Sequence, residues 1–367
     1  MIAPLVSEPP PSDPFPEIFE DVPFAPNLFA GGADVALTNL ALTIGVVVLL
    51  LAGASLFNEA LEETLGSIRT SGSHSLGAVG KLFPAAAALQ AFWVGLGATI
   101  GRFIPGGART DRFTAPIALL GLTALIYSFL EPNFGLNQRS LVIFVSLVIS
   151  KGVLTLMYEG GKAKLYRENL KVRANLRLFP ECILIALVSV VLSRVGNFQP
   201  GFVVGFVAAV VLLDTPTFDA GRQGRAYAMV ATALLGVTVA AWLLAWPLHE
   251  FNKDNSGVWS TLPESIAVSV FVVCLEGLLF SLIPLQFMDG HRIWNYSKRA
   301  WLALFIPTTF LFAQVLFNNQ DAYLDLVKQS RSVTSMGILG MYILVTFGTW
   351  AMLKRRAEQE RPQTAQN

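Results

Sequence analysis

Long apolar runs separated by short polar segments dominate the chain. A helix that crosses a bilayer needs about 20 mostly apolar residues. The five clearest runs are Val35–Phe57, Tyr227–Leu248, Ile266–Leu285, Trp301–Phe317 and Met336–Leu353. Four shorter or interrupted runs are Ala115–Leu130, Ser140–Met157, Ile183–Ser193 and Phe202–Leu213. The pattern predicts an all-α polytopic membrane protein with about nine transmembrane helices, within a range of roughly seven to ten.

Two regions leave alternatives open. The short runs over residues 183–193 and 202–213 can instead form a hairpin that turns at residues 194–200. Residues 82–104 are apolar but contain Pro84, Gln90 and several glycines. We therefore interpret the region 58–114 as an interfacial or re-entrant segment.

The distribution of basic residues predicts the orientation, because cytoplasmic loops carry an excess of Lys and Arg. With nine spans, 20 of the 26 basic residues fall on one side, five fall on the other and Lys151 lies within a span. This asymmetry predicts an outside N-terminus and a cytoplasmic C-terminus in the plasma (inner) membrane. The basic loops are residues 58–114, 158–182, 214–226 and 286–300, followed by the tail after Leu353.

Residues 170–178 have a different period from the spans. Apolar and polar residues alternate strictly in Leu-Lys-Val-Arg-Ala-Asn-Leu-Arg-Leu, which is typical of a half-buried strand. We predict a short β segment near 170–178 on the cytoplasmic side. Backbone at a membrane surface needs hydrogen-bond partners, so this segment should pack against the helices.

Composition agrees with a membrane protein. Charged residues are only 14% of the chain, against about 25% in soluble domains. The net charge of +1 gives no support for nucleic-acid binding, and two cysteines in apolar runs exclude a disulfide framework and a Cys-based zinc site. We predict a disordered, acidic, Pro-rich tail over 1–34, a single transmembrane domain over 35–353 and a basic cytoplasmic tail over 354–367.

Ionisable residues at membrane depth are costly and often functional. Lys151 and Glu276 lie inside predicted spans, and Glu159 with Lys162 and Asp289 lie at the ends of two spans. Glu159 and Lys162 are spaced i,i+3 and can pair on one helix face. The alternative is that all of these residues form structural ion pairs, which imitate active sites.

Two stretches carry these charges at span ends, Tyr158-Glu-Gly-Gly-Lys-Ala163 and Ser281-Leu-Ile-Pro-Leu-Gln-Phe-Met-Asp-Gly290. They resemble the two motifs of the site-2 proteases, intramembrane zinc metalloproteases of the M50 type. That family carries H-E-x-G-H-A at one helix end, a membrane-associated β segment, and N-x-x-P-x-x-x-x-D-G at a later helix end. Glu159, Gly161 and Ala163 match the first motif, but Tyr158 and Lys162 replace both histidines. Ser281 replaces the Asn of the second motif. Its other residues match at Pro284, Asp289 and Gly290.

The resemblance implies a protease-like core over about 140–300 that has lost its zinc and its catalysis. A phenol is a poor zinc ligand near neutral pH and an ammonium cannot coordinate a metal. We therefore expect no metal and no other cofactor, and we hypothesise that Lys162 replaces zinc by pairing with Asp289 or Glu159. The expected partners are membrane lipid and a transmembrane segment of another protein.

Two alternatives remain. The first is a transporter or channel in which a polar path is lined by Lys151, Glu276, Glu159 and Asp289, although the sequence shows no inverted repeat. The second is an active protease with an atypical metal site, in which His291 would approach Asp289.

Overall fold

The computed structural model describes residues 14–20, 22–28, 32–70, 114–169, 171–179, 182–196, 200–203, 205–212, 220–253, 257–286 and 288–317. Three predicted features lie outside these residues. They are the span Met336–Leu353, the segment over 82–104 and the basic tail over 354–367.

The described chain is mainly helical, with one small sheet. Its helices are α1 (Glu17–Glu20), α2 (Ala33–Thr70), α3 (Thr114–Ser128), α4 (Gln138–Leu154), α5 (Gly161–Asn169), α6 (Cys182–Gly196), α7 (Ala220–Asn252), α8 (Val258–Ser281), α9 (Asp289–Tyr296) and α10 (Lys298–Leu311). A 3-10 turn spans Ala25–Asn27, and π-helical turns at Thr155–Gly160 and Phe312–Phe317 continue α4 and α10. The strands are β1 (Ala174–Leu178) and β2 (Ala208–Leu212).

Four described helices are long and apolar enough to cross a membrane. They comprise Val35–Leu56, Gln138–Glu168, Gly221–Asn252 and Val258–Ser281, while α3 and α6 are shorter apolar helices. The chain is therefore a helical membrane protein. The prediction of nine spans is not confirmed by the described residues.

Helix α8 is the centre of the bundle and packs mainly against α4 and α7. Ser269 donates a hydrogen bond to Ser150 across the α8–α4 contact at 2.9 Å. Near the end of α8, Gly277 lies against the Leu154 side chain, and a Cβ there would come within 2.8 Å of it. The two helices that carry the motif residues are thus held in direct contact.

The predicted helical span over residues 202–213 is wrong. The described residues of this run, 202–203 and 205–212, are not helical and lie beside α6, and residues 208–212 form β2. The Ser193 hydroxyl accepts a hydrogen bond from the Phe202 N–H at 2.9 Å, and Gly205 lies against Ile185. Gly205 has a φ of +93°, a conformation that interrupts a right-handed helix. The helix α6 and the extended return therefore form the hairpin that the sequence allowed as an alternative.

A two-stranded sheet lies after α5. Strands β1 and β2 are antiparallel, with Ala174 opposite Leu212 and Leu178 opposite Ala208. The prediction of a short strand near 170–178 is confirmed for residues 174–178. Its alternating burial holds for Ala174, which is buried, but not for Leu176, which is 42% exposed.

The prediction of a disordered tail is wrong for residues 14–20 and 22–28, which are the described residues of the range 14–28. Four apolar side chains of this segment are buried in the core: Phe15, Ile18, Phe19 and Val22. The Trp242 indole donates a hydrogen bond to the Pro23 carbonyl at 2.9 Å. Proline and acidic residues obscured this short apolar set in the sequence.

Glu131, in the loop after α3, fixes that segment to the bundle. Its buried carboxylate accepts hydrogen bonds from the N–H groups of Glu17 (3.2 Å) and Ile18 (3.4 Å). Arg139 lies 3.3 Å from Glu17 Oε2 and 3.7 Å from Glu131 Oε1. Burial raises the pKa of the Glu131 carboxyl, and the two N–H groups and Arg139 partly oppose that effect.

Candidate functional site

The motif residues meet around the ammonium group of Lys162. Lys162 Nζ lies 2.6 Å from Glu159 Oε1 and 2.8 Å from Asp289 Oδ2. These two ion pairs were predicted as alternatives, and the Lys162 ammonium makes both at once. The side chains of Lys162 and Glu159 are 7% and 4% exposed. The group therefore connects the turn after α4 to the start of α9, across 127 positions of sequence.

Aromatic rings surround the same ammonium. Lys162 Nζ lies 4.5 Å from the centroid of the Tyr158 ring and 5.2 Å from that of the Tyr227 ring. These distances are within the range of a cation–π interaction. Tyr158 is fully buried and stacks on Phe206 of the extended segment. The Tyr158 ring therefore lines the site between Lys162 and the extended segment.

The second oxygen of each carboxylate also has a partner. Glu159 Oε2 accepts a hydrogen bond from the Val210 N–H of β2 at 2.9 Å. Asp289 Oδ1 accepts one from Arg292 Nη1 at 3.1 Å. Two carboxylates therefore face two cations, and the cluster is electrically balanced when all four groups are ionised. A divalent metal between two carboxylates would give the same balance.

Arg292 was missed as a site residue by the sequence analysis. Its i,i+3 spacing from Asp289 on one short helix was a usable signal. The guanidinium also lies 5.2 Å above the Tyr227 ring. The Tyr227 hydroxyl in turn accepts a hydrogen bond from the Tyr166 hydroxyl at 3.0 Å. The cluster therefore extends from α9 through α7 to α5.

The turn before α9 positions Asp289. A Cβ on Gly290 would collide with the Leu282 carbonyl, so only glycine allows this close approach. Asn58 of α2 donates a hydrogen bond to the Pro284 carbonyl (3.0 Å) and accepts one from the Gln286 N–H (2.8 Å). No local pattern indicated a role for Asn58. Proline, aspartate and glycine of the second motif thus form one tightly held turn.

Lys151 and Glu276 lie away from this cluster and hold the extended segment. Lys151 Nζ donates a hydrogen bond to the Gly205 carbonyl at 2.7 Å. Glu276 Oε2 accepts one from the Val203 N–H at 2.5 Å. Both side chains are almost fully buried. Non-helical backbone at membrane depth requires such partners, so their described contacts are structural.

The residues at the cluster do not fit a zinc ion. A lysine ammonium occupies the space between the two carboxylates and a phenol ring stands where a histidine would be needed. Within the described ranges, no group of three or more His, Cys, Asp or Glu side chains could hold a metal. His291 instead contacts Asn58 and Asn295.

Comparisons with known proteins give one partial similarity. No family model and no solved structure matches the chain. Over 146 residues the chain is 30% identical to "GPI-specific phospholipase A2-like PGAP3" of Cricetulus griseus. The match covers 38% of this chain and 40% of that relative, so the chain spans less than half of the relative's length. This similarity is not to a site-2 protease, and the protease resemblance rests on the motif residues.

We expect Lys162→Met to destabilise the protein by about 3–5 kcal/mol, because it leaves two buried carboxylates without the cation between them. Asp289→Asn should restore part of that loss in the Lys162→Met background. Thermal unfolding of purified protein in detergent measures both effects. The exposed neighbour Lys164→Met should change little, and a neutral Lys162→Met would contradict the proposed role of the ammonium.

We expect Glu276→Leu to destabilise the extended segment by about 1–3 kcal/mol, the cost of leaving a buried N–H without an acceptor. Glu276→Gln retains an acceptor for Val203 and should have a smaller effect. Hydrogen exchange of residues 200–207 compared with α6 measures the difference. Equal exchange in both variants would show that the carboxylate does not hold this backbone.

Proposed function

We propose that the protein is a non-catalytic relative of the site-2 proteases, in which Lys162 takes the place of the metal ion. The observation that carries this proposal is the bridge from Glu159 through Lys162 to Asp289. These residues belong to two short motifs that are far apart in sequence. Residues from both motifs meet at one buried place, which is expected if this site and the protease site descend from a common ancestor.

Three further features support the proposal. A short strand follows the first motif, where the family resemblance expects one. Gly290 and Pro284 lie in the turn that presents Asp289. Arg292 supplies a second positive charge to the two carboxylates. Together Lys162 and Arg292 match the charge of the divalent ion that they replace.

The work of such a protein is binding and not hydrolysis. Without a metal, Glu159 has no activated water to deprotonate, and both of its carboxylate oxygens are engaged. The protein therefore binds a transmembrane segment of a partner beside the former catalytic centre. It lies in the plasma membrane with its N-terminus outside and its C-terminus in the cytoplasm, as its basic residues predict.

Other functions have less support. A polar transport path through Lys151 and Glu276 conflicts with their contacts to backbone groups of the extended segment. The partial similarity to a phospholipase A2-like protein raises lipid hydrolysis as a second candidate. Release of fatty acid from phospholipid vesicles by the purified protein, abolished by Asp289→Ala, would favour that candidate instead.

The combined substitution Tyr158→His and Lys162→His tests the ancestral geometry. It should create a site with two imidazoles and the Asp289 carboxylate, which is a sufficient donor set for zinc. We expect about one zinc per chain by elemental mass spectrometry in this variant. The unsubstituted protein should hold none, and Asp289→Ala added to the double variant should remove the zinc.

Two results would overturn the proposal. The first is a double variant that unfolds cooperatively but binds no zinc, because the motif residues would then not form a metal geometry. The second is stoichiometric zinc in the unsubstituted protein that is lost on Asp289→Ala, because the protein would then be a metalloprotein.

Partner binding can be tested by photo-crosslinking in native membranes. A photoreactive side chain in place of Leu176, exposed on β1 next to the strand that contacts Glu159, should crosslink to one defined membrane protein. The matched control is the same substitution at Leu187 of α6, which is also exposed. Identical product patterns at the two positions would contradict a partner site beside the cluster.

A further inference from the structure

A groove lies on the opposite face of the helix turn that carries the ion cluster. It has a volume of about 950 Å³ and is formed between α5 with its preceding π-helical turn and α7. Its apolar lining comes from Leu156, Met157, Leu165, Met229, Val230 and Ala233. Leu156, Met157 and Met229 are 67%, 39% and 49% exposed. The groove therefore opens towards the surface of the bundle, at the end of two membrane-spanning helices.

One end of the groove is strongly basic. Lys164 and Arg167 line it together with one acid, Glu168. On α7, Arg225 and Arg222 precede Met229 by four and seven positions and are exposed, so they share its helix face. Lys164, Arg222 and Arg225 form no ion pair within the part of the chain that the structure describes. Among the described residues, two cations and one anion line this end of the groove, and two more cations lie on the adjacent face of α7.

We propose that this groove binds one anionic glycerophospholipid. The phosphate lies among the basic residues, and an acyl chain follows Met157, Gly160 and Ala233 along the groove. A phosphate between Lys and Arg side chains gains charge-assisted hydrogen bonds. An acyl chain in the groove covers apolar side chains that are otherwise exposed. A helical peptide fits less well. Basic residues at the depth of the lipid headgroups favour a ligand with a small anionic group and an apolar tail.

A larger side chain at position 160 can block the acyl chain without removing any charged residue. It lines the groove, and a Cβ added there would meet no atom within 4 Å. Gly160→Leu should therefore fill the groove without disturbing the core. Lys164→Gln with Arg225→Gln removes two cations and leaves the apolar lining intact. Arg299→Gln, at an exposed position of α10, is the control for a general loss of basic charge.

The test uses purified full-length protein in detergent with added dioleoyl phosphatidylglycerol, dioleoyl phosphatidylcholine or inorganic phosphate. Native mass spectrometry counts bound lipid, and thermal unfolding measures stabilisation. We expect one phosphatidylglycerol per chain with an increased unfolding temperature, and neither effect from phosphatidylcholine or phosphate. Each cation removed should weaken binding about fivefold, so the double charge variant should bind about 25-fold more weakly.

The outcomes separate the parts of the proposal. Gly160→Leu should abolish binding, while Arg299→Gln should bind as the unsubstituted protein does. Equal binding of phosphatidylcholine, or a Lys164→Gln and Arg225→Gln variant that binds normally, would overturn the site. Stabilisation by inorganic phosphate equal to that by phosphatidylglycerol would also overturn it, because the groove would then have no role. Unfolding of each variant without lipid verifies that it is folded.

Discussion

Polar groups inside an apolar helix bundle must find partners within the protein, and this constraint determines the interior of the molecule. An ionised side chain or an unpaired backbone amide in such surroundings costs several kcal/mol. Lys162, Lys151 and Glu131 each meet the constraint in a different way. Lys162 bridges two carboxylates, Lys151 caps a carbonyl of extended backbone, and Glu131 receives the amide groups of the N-terminal segment. Each one connects parts of the chain that sequence separates.

The extended crossing beside α6 follows from the same constraint. Backbone without helical hydrogen bonds needs one external partner for almost every polar group. Ser193, Glu276 and Lys151 supply partners in order along the segment, and β1 pairs with its last five residues. Glu159 then binds Val210 within β2. The ion cluster and the extended segment are therefore parts of one connected network.

Sequence reasoning located the features whose signals are local. The existence of the long apolar helices was predicted where they are described, but their ends were not: α8 begins eight residues before the predicted start, and α2 continues 13 residues past the predicted end. The charges of Glu159, Lys162 and Asp289 indicated that they should pair. The extended segment was not predicted, because an apolar run rich in valine and phenylalanine has the same pattern in a buried strand and in a short helix. Asn58 was missed for another reason: its role depends on a turn more than 200 positions away.

The two faces of the turn at residues 155–164 link the ion cluster to the groove. Tyr158, Glu159 and Lys162 point into the bundle, while Met157 and Lys164 point outwards. A π-helical turn has more residues per turn than an α-helix, which changes the direction of every side chain that follows it. The contacts of Lys162 with Asp289 hold this turn against α9. The shape of the outer groove therefore depends on the same buried charges, and a ligand in the groove is positioned to respond to any change in that cluster.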